Sequence, residues 1–413
     1  MKKFDINFKL VLVSQIISLI GGNVLRFALV LFILDLSGSA GIFGLVMAVS
    51  QIPVFIFAIP GGIIADRMNK KNLIVFLDGI KTVICLALVV IFVTEIYSVA
   101  NLTFFIAVFM MILTLFSPVL TSATPVIVKE EVLVEANGAI QAVNAMGELF
   151  GFVLGGILVA TIGMINIVIL VGVAFLISTV IDLFIKIAHN KQIAEFGIVK
   201  TAVLDMKESL NYATKKNQFI IRIAIFMGLF AFLIMPIVTV ALPYIVRVQF
   251  EANDTMFGIA QAVSAFGMLL GGIFSGSLKK FLQFKYFATW IIVTAALCLF
   301  LAVTVHTPFF ASLTLPFWLF NIVLMLVMVV LTFGNIIAMS YIQEEVPEKY
   351  LGKTLALVIT ILNLAIPISQ FAFGWLMEIF ADTTSLLFIA IGMLMIGLAG
   401  VAKKVFSKVE ITV

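Results

Sequence analysis

Long apolar stretches separated by short polar breaks recur along the entire sequence. Hydrophobic residues occupy 63% of the 413 positions and charged residues only 11%, and a membrane-spanning helix needs roughly 20 mostly apolar residues. The sequence therefore predicts an all-α polytopic membrane protein and excludes an ordinary soluble globular protein. The stretches predict twelve transmembrane helices, near residues 8–34, 40–65, 72–94, 102–128, 137–161, 164–186, 219–246, 255–278, 285–305, 309–338, 353–377 and 385–402.

The basic residues are unevenly distributed over the polar breaks. If the N-terminus is cytoplasmic, the inner loops and termini hold nearly all of the lysines of the breaks, whereas the outer loops hold only Arg247. The positive-inside rule then predicts a protein of the plasma or inner membrane with both termini in the cytoplasm. Because the basic residues are spread over many loops rather than gathered on one face, no nucleic-acid partner is expected.

The sequence also lacks patterns typical of catalysis. Cys85 and Cys298 fall inside apolar runs, so we interpret them as packing residues rather than as a disulfide or a metal site. No catalytic or nucleotide-binding constellation is present, which argues against an enzyme and against a cofactor. The expected surroundings are membrane lipid, and a monomer is expected.

Two halves of the chain repeat each other. A shift of 214 residues aligns Phe43-Gly44 with Phe257-Gly258, and the same shift aligns Glu130-Glu131-Val132 with Glu344-Glu345-Val346. Two separate blocks that share one offset indicate a duplicated six-helix unit. We therefore predict an N-terminal half over 1–188, a cytoplasmic linker with an amphipathic segment over 189–218, and a C-terminal half over 219–413.

A charged turn between spans two and three carries the clearest motif. Gly62, Asp66, Arg67, Lys70 and Lys71 follow the spacing G-x-x-x-D-R-x-x-K-K. This pattern resembles the loop between helices 2 and 3 of the major facilitator superfamily, a family of two pseudo-symmetric six-helix halves. The resemblance implies a conformational hinge at these residues. Asn69 stands where the family usually has glycine, and asparagine also tolerates a left-handed backbone.

A second segment resembles one particular branch of this superfamily. Residues 343–353, between spans ten and eleven, resemble the Q-x-x-V-P-x-x-x-x-G-R segment of the macrolide-efflux-like branch, which contains drug:proton antiporters. Lys353 replaces the final arginine. This branch also looks similar to siderophore and lysophospholipid carriers, so the resemblance leaves the substrate open.

Spans five and eight each carry glycines at helical spacing. Glycines four residues apart lie on one helix face and allow another helix to pack closely. We expect the two faces to meet at an interface between the halves, with generic small-residue packing as the alternative. The span-five pattern resembles an antiporter motif in which Phe152 replaces a proline. The glycines are Gly147, Gly151, Gly155, Gly156, Gly267, Gly271 and Gly272.

Polar residues inside the membrane suggest a coupling site. Gln141, Asn144 and Glu148 form a stripe on span five, and Glu148 lies near the bilayer centre. Because an isolated charge there is costly, Glu148 is the candidate proton site, with Arg26 of span one as its partner. A permanent structural ion pair is the alternative. Gln261 of span eight is a further candidate for a cavity.

Other ionisable residues receive structural interpretations. Asp78 and Lys81 lie one turn apart near the inner end of span three and are predicted to pair with each other. Asp182, near the inner end of span six, is expected to cap a helix or to pair with a loop lysine.

The favoured hypothesis is a secondary active transporter that exports bulky amphipathic compounds by alternating access, with protons as the driving ion. Span four lacks the inward arginine of many proton-driven facilitators, which argues against standard coupling. The alternatives are a lipid-like or siderophore exporter of the same fold and a non-transporting membrane sensor or scaffold. A scaffold would not need the Glu148 carboxylate.

Overall fold

The computed structural model describes residues 4–129, 132–187, 218–305 and 314–406. Within these ranges the chain is almost entirely helical. The main helices are α1 (Ile6–Ser37), α2 (Ala40–Arg67), α3 (Lys70–Val93), α4 (Val99–Ile127), α5 (Leu133–Phe184), α6 (Gln218–Gln249), α7 (Asp254–Ser277), α8 (Phe287–Val305), α9 (Thr314–Glu345), α10 (Glu348–Ile379) and α11 (Thr384–Phe406). In this described part, 11 helices are long and apolar enough to cross a membrane.

Helix α5 contains two spans. Its apolar run of 50 residues would extend roughly 75 Å as one straight helix, more than twice the thickness of a bilayer core. The backbone breaks at Gly163, which has φ 74° and ψ 167°, a conformation that is essentially restricted to glycine. The break falls between predicted spans five and six, so the described helices provide twelve spans.

Side-chain caps explain where several helices begin. Asp5 caps α1 by accepting a hydrogen bond from the backbone nitrogen of Ile6, and this bond lowers the pKa of Asp5. Ser98 and Asn101 form a reciprocal capping box at the start of α4. Asn69 caps α3 through its side chain and has φ −63°, so the left-handed backbone considered for this position is not used.

The chain divides into two compact units. The first comprises residues 1–38, 49–204 and 253–259, and the second comprises residues 39–48, 205–252 and 260–413. In the first unit, α1 packs on α5, and α3 and α4 pack beside them. In the second, α8 packs on α11 and α6 on α10. The start of α2 therefore belongs to the second unit, and the start of α7 to the first.

Helix α6 changes its winding in its second half. Two π-helical segments, Ile237–Ala241 and Ile245–Gln249, flank a short α-helical turn that contains Pro243. Proline removes a backbone donor and clashes with the preceding turn, which favours such local rearrangement. Pro236 stands directly before the first π segment.

Candidate functional site

The glycine face of span five packs against α1. A Cβ atom added to Gly147 would lie 2.9 Å from Leu19 Cβ, and one added to Gly155 would lie 2.9 Å from Phe27 Cδ1. A Cβ on Gly151 would overlap Asn23 Cβ. These three glycines are therefore packing positions, and their partner is the first span rather than the eighth.

The glycine face of span eight also has a different partner from the one expected. Gly267 approaches the carbonyl oxygen of Met325, and a Cβ on Gly271 would lie 2.7 Å from Thr332 Cβ, so both pack on α9. A Cβ on Gly272 would have nothing within 4 Å. These five glycines therefore do not form the expected meeting of the span-five and span-eight faces, whereas Gly156 of span five does approach Gly258 at the start of span eight.

Two close helix contacts reproduce the internal repeat. A Cβ on Gly44 would lie 2.8 Å from Gly374 Cα and 2.6 Å from the carbonyl oxygen of Gln370. A Cβ on Gly258, its equivalent 214 residues later, would lie 2.8 Å from Gly156 Cα and 3.1 Å from the carbonyl oxygen of Phe152. At the start of α2 and at the start of α7, a glycine thus packs against a glycine of another helix. It also packs against the backbone carbonyl group four residues before that second glycine.

Arg26 and Glu148 are near each other but do not form a salt bridge. Glu148 is exposed and Arg26 is half-buried, and no nitrogen–oxygen pair of these side chains comes within 4.0 Å. Glu148 is the charge that acts on Arg26, and the guanidinium carbon lies 5.8 Å from the centre of the Phe152 ring. The geometry does not match a permanent structural ion pair.

Of the other two residues of the polar stripe, Asn144 faces α1, and the side chain of Gln141 is not described. The Asn144 side-chain oxygen accepts a hydrogen bond from the Gln15 amide at 3.1 Å. The Gln15 side-chain oxygen is buried without a partner. The side chain of Gln141 lies outside the described set, and Gln261 is half-buried in α7.

A buried polar cluster joins α1, α3 and the second half of α5. Lys81 and Asp78 form the predicted pair, with Lys81 Nζ 2.7 Å from Asp78 Oδ1 and side-chain exposures of 2% and 0%. Asp182 Oδ1 lies 2.5 Å from Ser14 Oγ, at hydrogen-bond distance, and within the described residues no lysine forms a salt bridge with Asp182. Sequence reasoning missed Ser14, Ser18 and Ser178, although Ser14 and Ser18, like Ser178 and Asp182, are spaced four residues apart on one helix face.

A cavity of about 340 Å³ lies entirely within the second unit, in the size range of small-molecule sites. Most of its lining is apolar and includes three methionines, and its polar side chains are those of Thr332, Asn335 and Asn363. None of the described lining residues is charged. The lining residues are Met227, Phe230, Ala231, Met235, Met268, Phe287, Leu331, Thr332, Gly334, Asn335, Ile359, Leu362, Asn363 and Ile366.

The sequence comparison decides the family. The family model of the Major Facilitator Superfamily matches residues 11–370. The chain belongs to this superfamily. It is therefore a transporter rather than an enzyme, and an integral membrane protein.

Individual superfamily members are only distantly similar. Macrolide efflux protein A of Streptococcus pyogenes is 22% identical over 402 residues, which cover 92% of each chain. The crystal structure of the nucleoside transporter NupG superposes with a TM-score of 0.74 at 11% identity, covering 97% of this chain and 99% of that one. A bacterial homologue of the iron transporter ferroportin, in its inward-facing state, gives 0.69 at 15% identity, covering 96% and 98%. These structures support the superfamily fold.

The superfamily hinge motif spans the junction of α2 and α3. Helix α2 ends at Arg67 and α3 begins at Lys70, which matches the turn expected from the motif. Lys70 and Lys71 are half-buried, whereas the surroundings of Gly62 and the side chains of Asp66 and Arg67 lie outside the described set. A hinge at these residues remains a prediction.

Proposed function

We propose that this superfamily member is a secondary active transporter that exports bulky amphipathic organic compounds by alternating access, driven by protons. The observation that carries the proposal is the cavity of about 340 Å³ in the second unit. An apolar cavity with a few polar groups and no charge among its described lining residues suits a neutral or weakly polar organic compound.

The methionines of the cavity support a broad substrate range. Met227, Met235 and Met268 have unbranched, flexible side chains, and methionine adapts to ligands of different shape. Asn335 and Asn363 supply amide groups that can both donate and accept hydrogen bonds. Similarity to a macrolide efflux protein over 92% of both chains points in the same direction.

Proton coupling is supported by the exposed carboxylate of Glu148. A carboxylate near the bilayer centre is costly unless it pairs or becomes protonated, and Arg26 is close enough to influence it without holding it in a salt bridge. A carboxylate without a fixed salt bridge can exchange a proton during the cycle.

The test is drug accumulation in intact cells. Cells that express the protein should retain less radiolabelled erythromycin than cells with an empty vector, and a protonophore should remove the difference. Equal retention across a panel of amphipathic compounds would support a non-transporting sensor or scaffold instead. Higher retention in expressing cells would indicate import and overturn the proposed direction.

Matched substitutions connect transport to the cavity. Asn363→Leu keeps the branched shape of the side chain but replaces the amide with methyl groups, and it should weaken export of compounds with several polar groups. Asn166→Leu makes the same change at an exposed asparagine of α5 and should leave export unchanged. Equal export by the wild-type, Asn363→Leu and Asn335→Leu proteins would remove the cavity from the proposal.

A further inference from the structure

The buried cluster of the first unit contains a row of four oxygen-bearing side chains. Ser14 Oγ lies 2.5 Å from Asp182 Oδ1 and 2.9 Å from Ser178 Oγ. Ser178 Oγ lies 2.5 Å from Asp78 Oδ2. The row Asp182, Ser14, Ser178, Asp78 therefore consists of three consecutive oxygen–oxygen contacts at hydrogen-bond distance.

When both carboxyl groups are ionised, the row has one proton fewer than its three hydrogen bonds require. Each of the three contacts needs one proton between its two oxygens, whereas an ionised carboxylate donates none and each serine donates one. Ser178 also approaches the backbone carbonyl oxygen of Ser14 at 3.1 Å, but its single proton cannot serve both bonds. The two hydroxyl groups supply two protons, so the third must come from a carboxylic acid.

The charges around the row lead to the same count. Lys81 is the cation of the cluster, and it donates hydrogen bonds to Asp78 Oδ1 at 2.7 Å and to Ser18 Oγ at 2.8 Å. Ser18 donates to the same Asp78 oxygen at 3.1 Å. One lysine neutralises one carboxylate, and a second buried carboxylate without a cation is costly.

The unsatisfied atom of the cluster belongs to Asp182. Its side chain is 1% exposed, and its Oδ2 atom is buried without a hydrogen-bond partner. Asp78, in contrast, receives hydrogen bonds on both oxygens, from Lys81 and Ser18 on one and from Ser178 on the other. Asp78 is thus the better site for the negative charge, and Asp182 the better site for the proton.

Within the described residues, the charges that act on Asp182 come from α3 alone. These charges are those of Asp78 and Lys81. Helix α1 contributes Ser14 and Ser18, and α4, which has no ionisable residue, contributes the Phe116 ring at 4.3 Å from Lys81 Nζ. On α5, Phe175 adds a second ring at 5.6 Å from Lys81 Nζ.

We propose that Asp182, Ser14, Ser178 and Asp78 form a one-proton relay that is separate from Glu148. In the resting arrangement Asp182 donates to Ser14, Ser14 to Ser178, and Ser178 to the ionised Asp78. Transfer of one proton along the row breaks three O–H bonds and forms three, and it moves the acid from Asp182 to Asp78 with no change in oxidation state. A proton then lies beside Lys81, which weakens the Asp78–Lys81 pair.

The location of the relay gives it a role in coupling, which rests on the proposed function. The backbone nitrogen of Lys186 donates to Asn7 at 3.0 Å, so the end of α5 lies beside the start of α1. Asp182 is two residues from the end of α5, about 3 Å along the axis. The relay therefore starts close to one end of the first unit and leads inward to the lysine pair.

Infrared difference spectroscopy on the full-length protein in lipid vesicles tests the relay directly. The wild-type protein should show the C=O band of a protonated carboxylic acid that disappears at alkaline pH and shifts in deuterium oxide. Asp182→Asn should lose this band, and Asp182→Glu should keep it. Both variants are also compared in a Glu148→Gln background, which should retain the band of the row because Glu148 is not part of it, and which removes any band of Glu148 itself.

A serine variant tests the connection between the two acids. Ser14→Ala removes the bridge to Asp182, so the carboxylic acid band should remain but shift in frequency. Ser122→Ala, which removes a half-buried hydroxyl on α4 that donates to Val119 at 3.1 Å, should leave the band unchanged. A band that is unaffected by Ser14→Ala would overturn the relay.

Three results would overturn the proton assignment itself. They are the absence of any carboxylic acid band in the folded wild-type protein, a band that survives in the folded double variant Asp182→Asn with Glu148→Gln, and a band that sodium ions remove at constant pH. The last result would assign the site to a monovalent cation. Because the spectra require no transport, the relay can fail while drug export persists, and export can fail while the band is present.

Discussion

Gly374 Cα lies 2.8 Å from the position that a Cβ atom on Gly44 would occupy. The nearest obstacle is the carbonyl oxygen of Gln370 at 2.6 Å, which is a backbone atom and cannot rotate away. Any side chain on Gly44 would therefore force the two helices apart. The same restriction applies to Gly258 and Gly156, at the equivalent position of the repeat.

The first prediction is that Gly44→Ala destabilises the protein. Forcing an extra methyl group into a packed contact costs about 1–3 kcal/mol, and thermal unfolding in detergent should show a lower midpoint. Gly272→Ala is the control, since a Cβ there meets nothing within 4 Å. An unfolding midpoint for Gly44→Ala equal to that of Gly272→Ala would contradict the close contact.

The second prediction concerns the packing of α5 on α1. Gly151→Ala places a Cβ on top of Asn23 Cβ and should destabilise the protein by about 1–3 kcal/mol. Adding Asn23→Gly removes the obstructing atom and should recover part of the loss. A double-mutant cycle measured by unfolding checks this coupling. Purely additive effects would show that the two positions do not touch.

The third prediction concerns the buried pair. Lys81→Met leaves Asp78 buried without its cation, and breaking a buried pair in this way costs about 3–5 kcal/mol. The double variant Asp78→Asn with Lys81→Met removes both charges and should unfold at a higher temperature than Lys81→Met alone. If the double variant were the less stable of the two, the conclusion that Lys81 neutralises the buried charge of Asp78 would be contradicted.

The fourth prediction separates the roles of Glu148. Because Glu148 is exposed and has no salt bridge to Arg26, Glu148→Gln should change the unfolding free energy by only about 0.5 kcal/mol. In vesicles it should abolish proton-driven accumulation while sparing passive exchange of substrate. Failure to fold, with rescue by Arg26→Gln, would identify a structural ion pair. Proton-driven transport at the wild-type rate would exclude Glu148 from coupling.

The fifth prediction concerns orientation. Both cysteines are buried, so single cysteines can be added to the natural protein. Thr94→Cys, in the exposed turn after α3, should react with an impermeant maleimide in intact cells, and Lys280→Cys should react only after lysis. The reverse pattern would invert the predicted topology. The predicted linker 189–218 lies largely outside the described residues and can be probed by the same labelling.

Sequence patterns predicted the features that depend on neighbouring positions of one helix. The twelve spans followed from hydropathy, and the break between spans five and six was found at Gly163. The Asp78–Lys81 pair was confirmed because both residues lie on one turn. The glycine faces were recognised, but a helical period reveals a face and not the helix that covers it. For the same reason Ser14 was not foreseen as the partner of Asp182, 168 positions away.

The cavity of the second unit could not be predicted at all. Its lining comes from four helices besides α6, and residues such as Met235 and Ile366 have no shared pattern in the sequence. Apolar residues are so frequent in this chain that any of them could line a cavity, contact lipid or fill the bundle. Only their arrangement in space distinguishes these possibilities.

The buried pair also has a consequence for how the chain enters the membrane during synthesis. Asp78 and Lys81 are three residues apart on one helix, so α3 carries its own counter-ion and can cross from the translocon into lipid as a nearly neutral segment. Asp182 emerges about 100 residues later with no cation on its own helix. Its hydrogen-bond partner Ser14 lies on α1, so the polar side chain of Asp182 is satisfied only when the second half of α5 packs against an earlier helix, which links the order of synthesis to the folding pathway.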